Sequence, residues 1–308
     1  MTNCTTRRMG DGTVLVIGRT GQLARALARC ATDWASYRFV GRPNVDFEQE
    51  RSLSPAFDLH RPCLVINAGA WTAINAAERQ AETAFRVNAE GPLHLARLCR
   101  QYGVPLIHFS TNQVFNGKAK APYAVEDGIG PLNTYGRSKA AGECAIAAEF
   151  AHHLIFRLAW VFSEWPGNFL TKLVSRAQSQ TTIEMVDDQH ATPTYARDVA
   201  RAIDQVARRC VSGKVRWGTY HLTNGGEASR LTFAQEILRL MTPKLRSEPV
   251  LRPIAADRRN TSAPLPRYGV LDTCRTIEQF GIALPAWQDA VARCMQFVLP
   301  GNPATEIG

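Results

Sequence analysis

Five short, nearly continuous apolar runs recur through the first half of the chain, with residues at helical spacing between them. The runs are TVLVI (13–17), YRFV (37–40), CLVIN (63–67), PLIHFS (105–110) and HLIFRL (153–158). Continuous apolar runs of this length are typical of strands that are buried on both faces. Because strands alternate with helices, the pattern predicts an α/β fold with a doubly wound parallel sheet.

A glycine loop joins the first strand to the first helix. The segment VLVIGRTGQLARAL carries Gly18, Gly21 and Ala24 in the pattern G-x-x-G-x-x-A. The glycines let backbone approach a pyrophosphate at the positive end of a helix, and the small third residue lets helix and strand pack closely. The loop therefore predicts a Rossmann-type dinucleotide site.

Two arginines indicate which dinucleotide is bound. The second strand ends in FVGR, which supplies Arg42, and the glycine loop supplies Arg19. An acidic residue at the end of this strand would hold the ribose of NAD, whereas arginine accommodates the additional phosphate of NADP. The sequence favours NADPH, with NADH as the alternative, and solvated arginines without this role remain an open alternative.

The pattern loosens after residue 157 and indicates a second, mixed lobe. We predict a dinucleotide-binding domain, a smaller α/β substrate lobe and flexible ends. The dinucleotide-binding domain is predicted to span 12–160, with returning segments near 186–224. The substrate lobe is predicted to span 161–185 and 225–300. The N-terminal extension spans 1–11, and the C-terminal tail spans 301–308.

Composition excludes several classes of function. Eight cysteines are spread along the chain without a Cys-x-x-Cys pair or clustered histidines, so we expect neither a metal site nor a disulfide framework. The net charge of +9 comes without basic runs interleaved with aromatics, which favours phosphate-bearing small ligands over nucleic acid. No apolar run approaches the length of a membrane helix, so we expect a soluble, cytoplasmic protein.

The segment NTYGRSKAAGE places Tyr135 and Lys139 four residues apart. On a helix these side chains share one face. An ammonium beside a phenol lowers the phenol pKa from its ordinary value of about 10, which makes the tyrosine a usable acid or base. A coincidental surface pair is the alternative.

Several segments in the same order resemble the dTDP-4-dehydrorhamnose reductase family of extended short-chain dehydrogenases/reductases, over roughly residues 13–295. The segments are GRTGQLARAL, CLVINAGAWTAINAAE, RVNAEGPLHLARLC, HFSTNQVFNG, PLNTYGRSKAAGE, LIFRLAWVFSE followed by GNF, VDDQHATPTYARDVA and GTYHLTNGG. The resemblance implies NADPH-dependent reduction of a dTDP-4-keto-6-deoxyhexose to an activated deoxysugar such as dTDP-L-rhamnose. It also implies a nucleotide-sugar substrate as partner. A homodimer is one alternative for the oligomeric state, which the sequence leaves open.

The resemblance also implies roles for individual residues. Tyr135 would donate a proton to the 4-keto oxygen, Lys139 would lower the Tyr135 pKa and bind the nicotinamide ribose, and Thr111 would complete the triad. The implied cofactor-binding residues are Gly18, Arg19, Thr20, Gly21, Gln22, Leu23, Arg42, Asp46, Phe47, Ala68, Gly69, Ala70, Trp71, Phe109, Tyr135 and Lys139. The implied substrate-binding residues are Thr111, Asn112, Gln113, Trp160, Gly167, Asn168, Phe169 and Arg267. Two of these have open alternatives, since Trp160 suits an ordinary core position and Asp46 suits a helix cap.

The chain departs from the family pattern around the substrate. Asn112 and Gln113 stand where the family usually has Asp-Tyr, and Leu265 stands for an arginine, with Arg267 two residues later. Ala26 replaces a glutamate that helps some members bind an intersubunit magnesium ion, so we expect no metal bridge. These departures leave two alternatives. One is a non-catalytic NADP-binding regulatory subunit, and the other is a different sugar-nucleotide ketoreductase or an epimerase. A dehydratase is disfavoured, because it needs an acid and a base directly after Thr111.

Overall fold

The computed structural model describes residues 12–242, 245, 249–258 and 262–299. The strands in these residues are β1 Thr13–Ile17, β2 Ser36–Val40, β3 Leu64–Asn67, β4 Leu106–Thr111, β5 His153–Leu158, β6 Val161–Phe162, β7 Thr182–Val186, β8 His190–Ala191, β9 Thr194–Tyr195, β10 Gly218–His221, β11 Ala228–Ser229 and β12 Val250–Ile254. The α-helices are α1 Gln22–Cys30, α2 Ser54–His60, α3 Ile74–Arg79, α4 Ala81–Phe85, α5 Gly91–Tyr102, α6 Thr134–Glu149, α7 Phe169–Ala177, α8 Ala196–Val211, α9 Arg230–Met241, α10 Cys274–Phe280 and α11 Trp287–Val298. The extension and the tail predicted from the sequence lie outside the described residues.

Six strands form one parallel sheet in the order β10-β5-β4-β3-β1-β2. The direction of winding reverses at β1, because β2 lies on one side of it and β3 on the other. Ligands of open parallel sheets bind at the carboxyl ends of the strands at such a switch point. The predicted doubly wound sheet is confirmed, and each of its five predicted strands begins and ends within one residue of the observed one.

The apolar runs are buried on both faces of the sheet, as their composition predicts. Val14 and Val16 enter the core beneath α1 and α8, whereas Leu15 and Ile17 enter the core beneath α2, α5 and α6. This alternation follows from the two-residue period of a strand. All residues of β3, β4 and β5 are buried, so the centre of the sheet is a rigid support for the residues at its carboxyl edge.

A second core lies beyond the main sheet. It packs α7, α9 and α11 around the short parallel pair of β7 and β12, with Phe162, Ile183, Phe233 and Val291 at its centre. The chain passes between the two cores more than once. Along the sequence, β10 comes after β7 and before α9 of the second core, but it is an edge strand of the main sheet. The cleft between them starts at the carboxyl edge of the sheet. In the part of the chain that the structure describes, no helix is long and apolar enough to cross a membrane.

Candidate active site

The loop between β1 and α1 packs closely on the loop after β3. Gly18 has φ of +125°, and a Cβ at this position would lie 3.1 Å from the carbonyl carbon of Ala68. Glycine is favoured because it accepts positive φ and takes no space on this side. Gly21 then precedes α1 without a side-chain cap. The positive end of α1 therefore opens beside a glycine loop, which suits an anionic ligand.

Two cavities meet at this loop. The first cavity, about 520 Å³, lies over the ends of β1 and β2 and contains ten of the predicted cofactor residues: Gly18, Arg19, Thr20, Gly21, Arg42, Asp46, Phe47, Ala68, Gly69 and Ala70. The second cavity, about 510 Å³, lies over β3, β4 and the start of α6 and contains the other five that line a cavity: Gln22, Leu23, Phe109, Tyr135 and Lys139. Trp71 lines neither of them, and its indole N–H donates to the Ala73 carbonyl at 3.2 Å.

The end of β2 brings the two predicted arginines to one side of the first cavity. The Arg19 side chain packs on Gly41, where a Cβ would lie 3.3 Å from the Arg19 Cγ. Arg42 lines the same cavity. Asp46 contributes a carboxylate there and also accepts the backbone N–H of Glu48 at 3.1 Å, so it caps a turn in addition to lining the cavity.

The N-terminus of α6 is held by two side chains from outside the helix. Asn133 accepts the Gly136 N–H at 2.8 Å, and the Glu78 carboxylate accepts the Thr134 N–H at 2.7 Å. A carboxylate at this end is favoured by the helix dipole. A Cβ on Gly136 would lie only 2.3 Å from the Gln113 carbonyl oxygen, so a larger residue would push α6 away from the end of β4.

This close packing brings Tyr135 near Thr111, and Thr111 acts on the pKa of the phenol. Both residues are buried and line the second cavity, with Tyr135 9% exposed. Lys139 lines it one turn further along α6. The structure therefore assembles the three predicted catalytic residues on one wall of the second cavity.

The predicted lowering of the Tyr135 pKa by Lys139 is wrong for this arrangement. Burial raises the pKa of Tyr135 to about 12, and the hydrogen bond with Thr111 opposes this rise. The Lys139 side chain turns toward the sheet, where its Nζ donates to the Phe109 carbonyl at 2.7 Å and lies 3.1 Å from His108 Nε2. Burial lowers the pKa of Lys139 to about 8, and the nearby Glu143 raises it by less.

A buried ion pair lies one turn beyond Lys139. Arg157 on β5 binds both carboxylate oxygens of Glu143, with a shortest distance of 2.7 Å, and each side chain is less than a tenth exposed. Arg157 also donates to the Val125 carbonyl at 3.2 Å and lies 5.1 Å above the Phe115 ring. Because Arg157 neutralises Glu143, the site beside Lys139 carries little net negative charge.

A third cavity, about 470 Å³, continues into the second core. It is lined by the cations Lys172, Arg176, Arg230 and Arg258, together with Glu184 and the predicted Phe169. Arg230 lines the second cavity as well, and its guanidinium lies 3.6 Å from the centroid of the Trp160 ring. These basic residues were missed in the sequence, because helix and loop arginines in an arginine-rich chain give no local signal.

The predicted substrate residues divide into two groups. Thr111, Asn112, Gln113, Trp160 and Gly167 line the second cavity. Asn168 instead caps α7, where it accepts the Leu170 and Thr171 N–H groups, and it lines none of the three cavities. Arg267 lines none of them either; its side chain is 66% exposed and lies 3.7 Å from Asp188.

Asn112 and Gln113 make hydrogen bonds within the protein. Asn112 Nδ2 donates to the Gly269 carbonyl at 3.0 Å, and Gln113 Oε1 accepts from Asn133 Nδ2 at 2.8 Å. Asn133 Nδ2 also donates to the Pro264 carbonyl at 2.8 Å. These two residues thus tie the segment 262–271 to the end of β4 and to the cap of α6.

No group of three or more His, Cys, Asp or Glu among the described residues is arranged to hold a metal ion.

Comparison with known proteins agrees with the geometry. The family model described as the RmlD substrate binding domain matches residues 12–299. A dTDP-4-dehydrorhamnose reductase of Sinorhizobium fredii is 34% identical over 286 residues, which cover 92% of this chain and 97% of that protein. A dTDP-4-keto-6-deoxy-D-glucose reductase of Streptomyces niveus is 35% identical over 262 residues, 83% of this chain and 87% of that protein. The crystal structure of a Bacillus anthracis dTDP-4-dehydrorhamnose reductase in complex with NADP has the same fold, with a TM-score of 0.86, 24% identity, and coverage of 92% and 99% of the two chains.

Proposed function

We propose that this chain, which belongs to the dTDP-4-dehydrorhamnose reductase family, reduces the 4-keto group of a dTDP-4-keto-6-deoxyhexose with NADPH. It is an oxidoreductase of sugar nucleotides. The observation that carries the proposal is the wall formed by Tyr135, Thr111 and Lys139 in a cavity that is continuous with a glycine-loop groove.

The groove fits a dinucleotide. The close approach of Gly18 to Ala68 leaves backbone rather than side chains along its floor, and the positive end of α1 opens into it. When bound, NADPH supplies the hydride. We assign its additional phosphate to Arg19 and Arg42, because arginine forks suit phosphate oxygens and both side chains lie at the end of β2.

The chain's own residues handle the proton. The raised pKa keeps Tyr135 protonated at neutral pH, so its O–H is available to the carbonyl oxygen as that oxygen becomes an alkoxide. The Thr111 hydroxyl lines the same cavity, and its single hydrogen, which faces Asn112 Oδ1 at 3.4 Å, can turn toward the carbonyl oxygen as a second donor. Donors held in place before the reaction stabilise the developing charge without reorganisation.

The nucleotide diphosphate of the substrate suits the basic third cavity. Arg230 lines both the second and the third cavity, so a ligand that extends from Tyr135 toward the second core passes it. Lys172, Arg176 and Arg258 add positive charge beyond that point. We therefore assign the diphosphate to the neighbourhood of Arg230 and the sugar to the space between Trp160 and Tyr135.

The test is NADPH oxidation by the purified protein, followed by absorbance, with dTDP-4-keto-L-rhamnose generated in situ. Tyr135→Phe removes the proton donor and should lower kcat by roughly 10²-fold or more with little change in NADPH affinity. Tyr102→Phe is the matched control, since Tyr102 lies at the exposed end of α5 and bonds to Asp58. Equal turnover by Tyr135→Phe and wild type would refute the assignment.

One alternative has a structural motive. Asn112 and Gln113, which replace the family's usual pair, are held by hydrogen bonds within the protein. A regulatory subunit would bind NADPH, show no turnover with 4-keto sugars and co-purify with an enzyme.

We further propose a cytoplasmic homodimer, and light scattering after size-exclusion chromatography tests its oligomeric state.

A further inference from the structure

Lys139 stands at the end of a hydrogen-bond chain that crosses the carboxyl edge of the sheet. The chain begins at the Gly69 backbone N–H, which donates to Asn67 Oδ1 at 3.0 Å. A backbone N–H can only donate. It therefore fixes the orientation of the Asn67 amide, with the oxygen toward Gly69 and the Nδ2 group toward His108, 3.0 Å from its Nδ1.

The direction of the next bond follows from this orientation. Because Asn67 Nδ2 donates, His108 Nδ1 has to accept. His108 is fully buried, and burial keeps its pKa well below the ordinary value, so the ring is neutral. A neutral imidazole carries a single N–H. That hydrogen is on Nε2, which lies 3.1 Å from Lys139 Nζ.

A lysine that receives an N–H has to offer a lone pair. The ammonium form has three hydrogens and no acceptor, whereas the neutral amine has two hydrogens and one lone pair. One amine hydrogen is donated to the Phe109 carbonyl at 2.7 Å, and the other is left for the second cavity, which Lys139 lines. The hydrogen-bond directions thus favour the amine at the expense of the ammonium.

We propose that His108 is a positioning residue whose Nε2 hydrogen faces Lys139 Nζ and disfavours its ammonium form relative to the amine. Burial lowers the pKa of Lys139 to about 8, which agrees in direction: the ammonium predominates at neutral pH and the amine forms in mildly alkaline solution. The link to catalysis rests on the proposed function, in which Lys139 lines the second cavity and its charge acts on the cofactor and substrate bound there. His108 would then set the alkaline limit of the reductase.

The other titratable groups around Lys139 do not supply this effect. On α6 these are Tyr135 and Glu143, and Glu143 raises the Lys139 pKa and is paired with Arg157 of β5. His153, also on β5, bonds to the Phe150 carbonyl and acts on His108 by charge. Variants at His108 and Asn67 leave all of these in place.

The direct test is an NMR titration of protein labelled with [13Cε]lysine. The chain has six lysines, and Lys139→Met assigns the resonance. In His108→Gln the amide oxygen can turn toward the ammonium, so the Lys139 pKa should rise by about one unit, the size of one hydrogen bond. His153→Gln, a buried histidine on the next strand, is the control and should change it by no more than a few tenths.

Asn67→Asp supplies a second, independent variant. A carboxylate accepts from His108 Nδ1, which reverses the chain and turns the Nε2 lone pair toward Lys139. Asn67→Asp should therefore raise the Lys139 pKa. In the His108→Gln background the same substitution should raise it by less, because no imidazole connects residue 67 with Lys139. An equal rise in both backgrounds would mean that charge alone acts, and would overturn the proposal.

The NMR measurement does not depend on turnover. An unchanged Lys139 pKa in folded His108→Gln would overturn the role of His108 even if the reductase is active. Absence of turnover with 4-keto sugars would instead refute the proposed function and leave the NMR result standing. In an active enzyme, the alkaline limb of the kcat profile should move with the NMR value in the same variants.

Discussion

Replacing Glu143 with glutamine should destabilise the fold strongly, because it removes one partner of a buried ion pair. Arg157 would keep its bond to the Val125 carbonyl and its position over the Phe115 ring, but it would lose both carboxylate oxygens. Breaking a buried pair from one side costs about 3–5 kcal/mol. Since the glutamine oxygen can still accept one hydrogen bond, we expect a loss of about 3 kcal/mol in the free energy of unfolding.

Urea unfolding followed by circular dichroism measures this change. The double variant Glu143→Leu/Arg157→Met is the decisive control, because it removes both charges and replaces both side chains with apolar ones. Replacing a whole buried pair by apolar groups is often neutral or stabilising, so the double variant should recover most of the loss. A single variant within about 1 kcal/mol of wild type would refute this reasoning, as would a double variant less stable than the single one.

Three further predictions follow from charges in the site and core. The pKa of Lys139 is 10.5 in the unfolded chain and about 8 in the fold, so the unfolded state binds more protons between these values and stability should rise with pH across that window. Urea unfolding at the lower and upper pH of this window should show that the free energy of unfolding of wild type rises by roughly 3 kcal/mol and that Lys139→Met lacks this rise. The same rise in the variant would contradict the assignment to Lys139. The pKa of His221 is lowered from 6.5 to about 4, mainly by burial, so stability should fall as pH drops through that range; His221→Asn, which keeps a donor for the Asp272 carbonyl, should lose roughly 3 kcal/mol less than wild type in acid unfolding. Arg19→Ala/Arg42→Ala should raise the KM for NADPH about tenfold or more and leave that for NADH within about twofold, whereas equal changes would remove the phosphate assignment.

The main sheet was predictable because its signal is local. A strand buried on both faces has to be apolar along its length, so the runs 13–17, 63–67 and 105–110 identified β1, β3 and β4 nearly to the residue. The glycine loop was equally local, since positive φ at Gly18 and its contact with Ala68 tolerate no side chain. Tyr135 and Lys139 were found because helical spacing relates them directly.

The environment of Lys139 could not be predicted in the same way. Spacing put the amine and the phenol on one helix face, but the direction of a four-carbon side chain depends on what lies beneath the helix. The partner is His108, and its own partner Asn67 lies 41 residues earlier on a neighbouring strand. The only local sign was a histidine in an otherwise apolar strand. A polar residue in such a run indicates that a buried partner exists without identifying it.

Asn112 and Gln113 show how a departure from a family pattern changes meaning once the packing is known. The sequence has these two residues where the family usually has Asp-Tyr, and both line the second cavity. Each also makes a bond that the usual residue could not make. An aspartate at 112 has no hydrogen for the Gly269 carbonyl, and a tyrosine at 113 would not place a carbonyl oxygen at Asn133. The exchange therefore couples the wall of the second cavity to segment 262–271 and to the cap of the helix that carries Tyr135. A change of substrate preference in this chain would act through the position of that segment as well as through direct contacts.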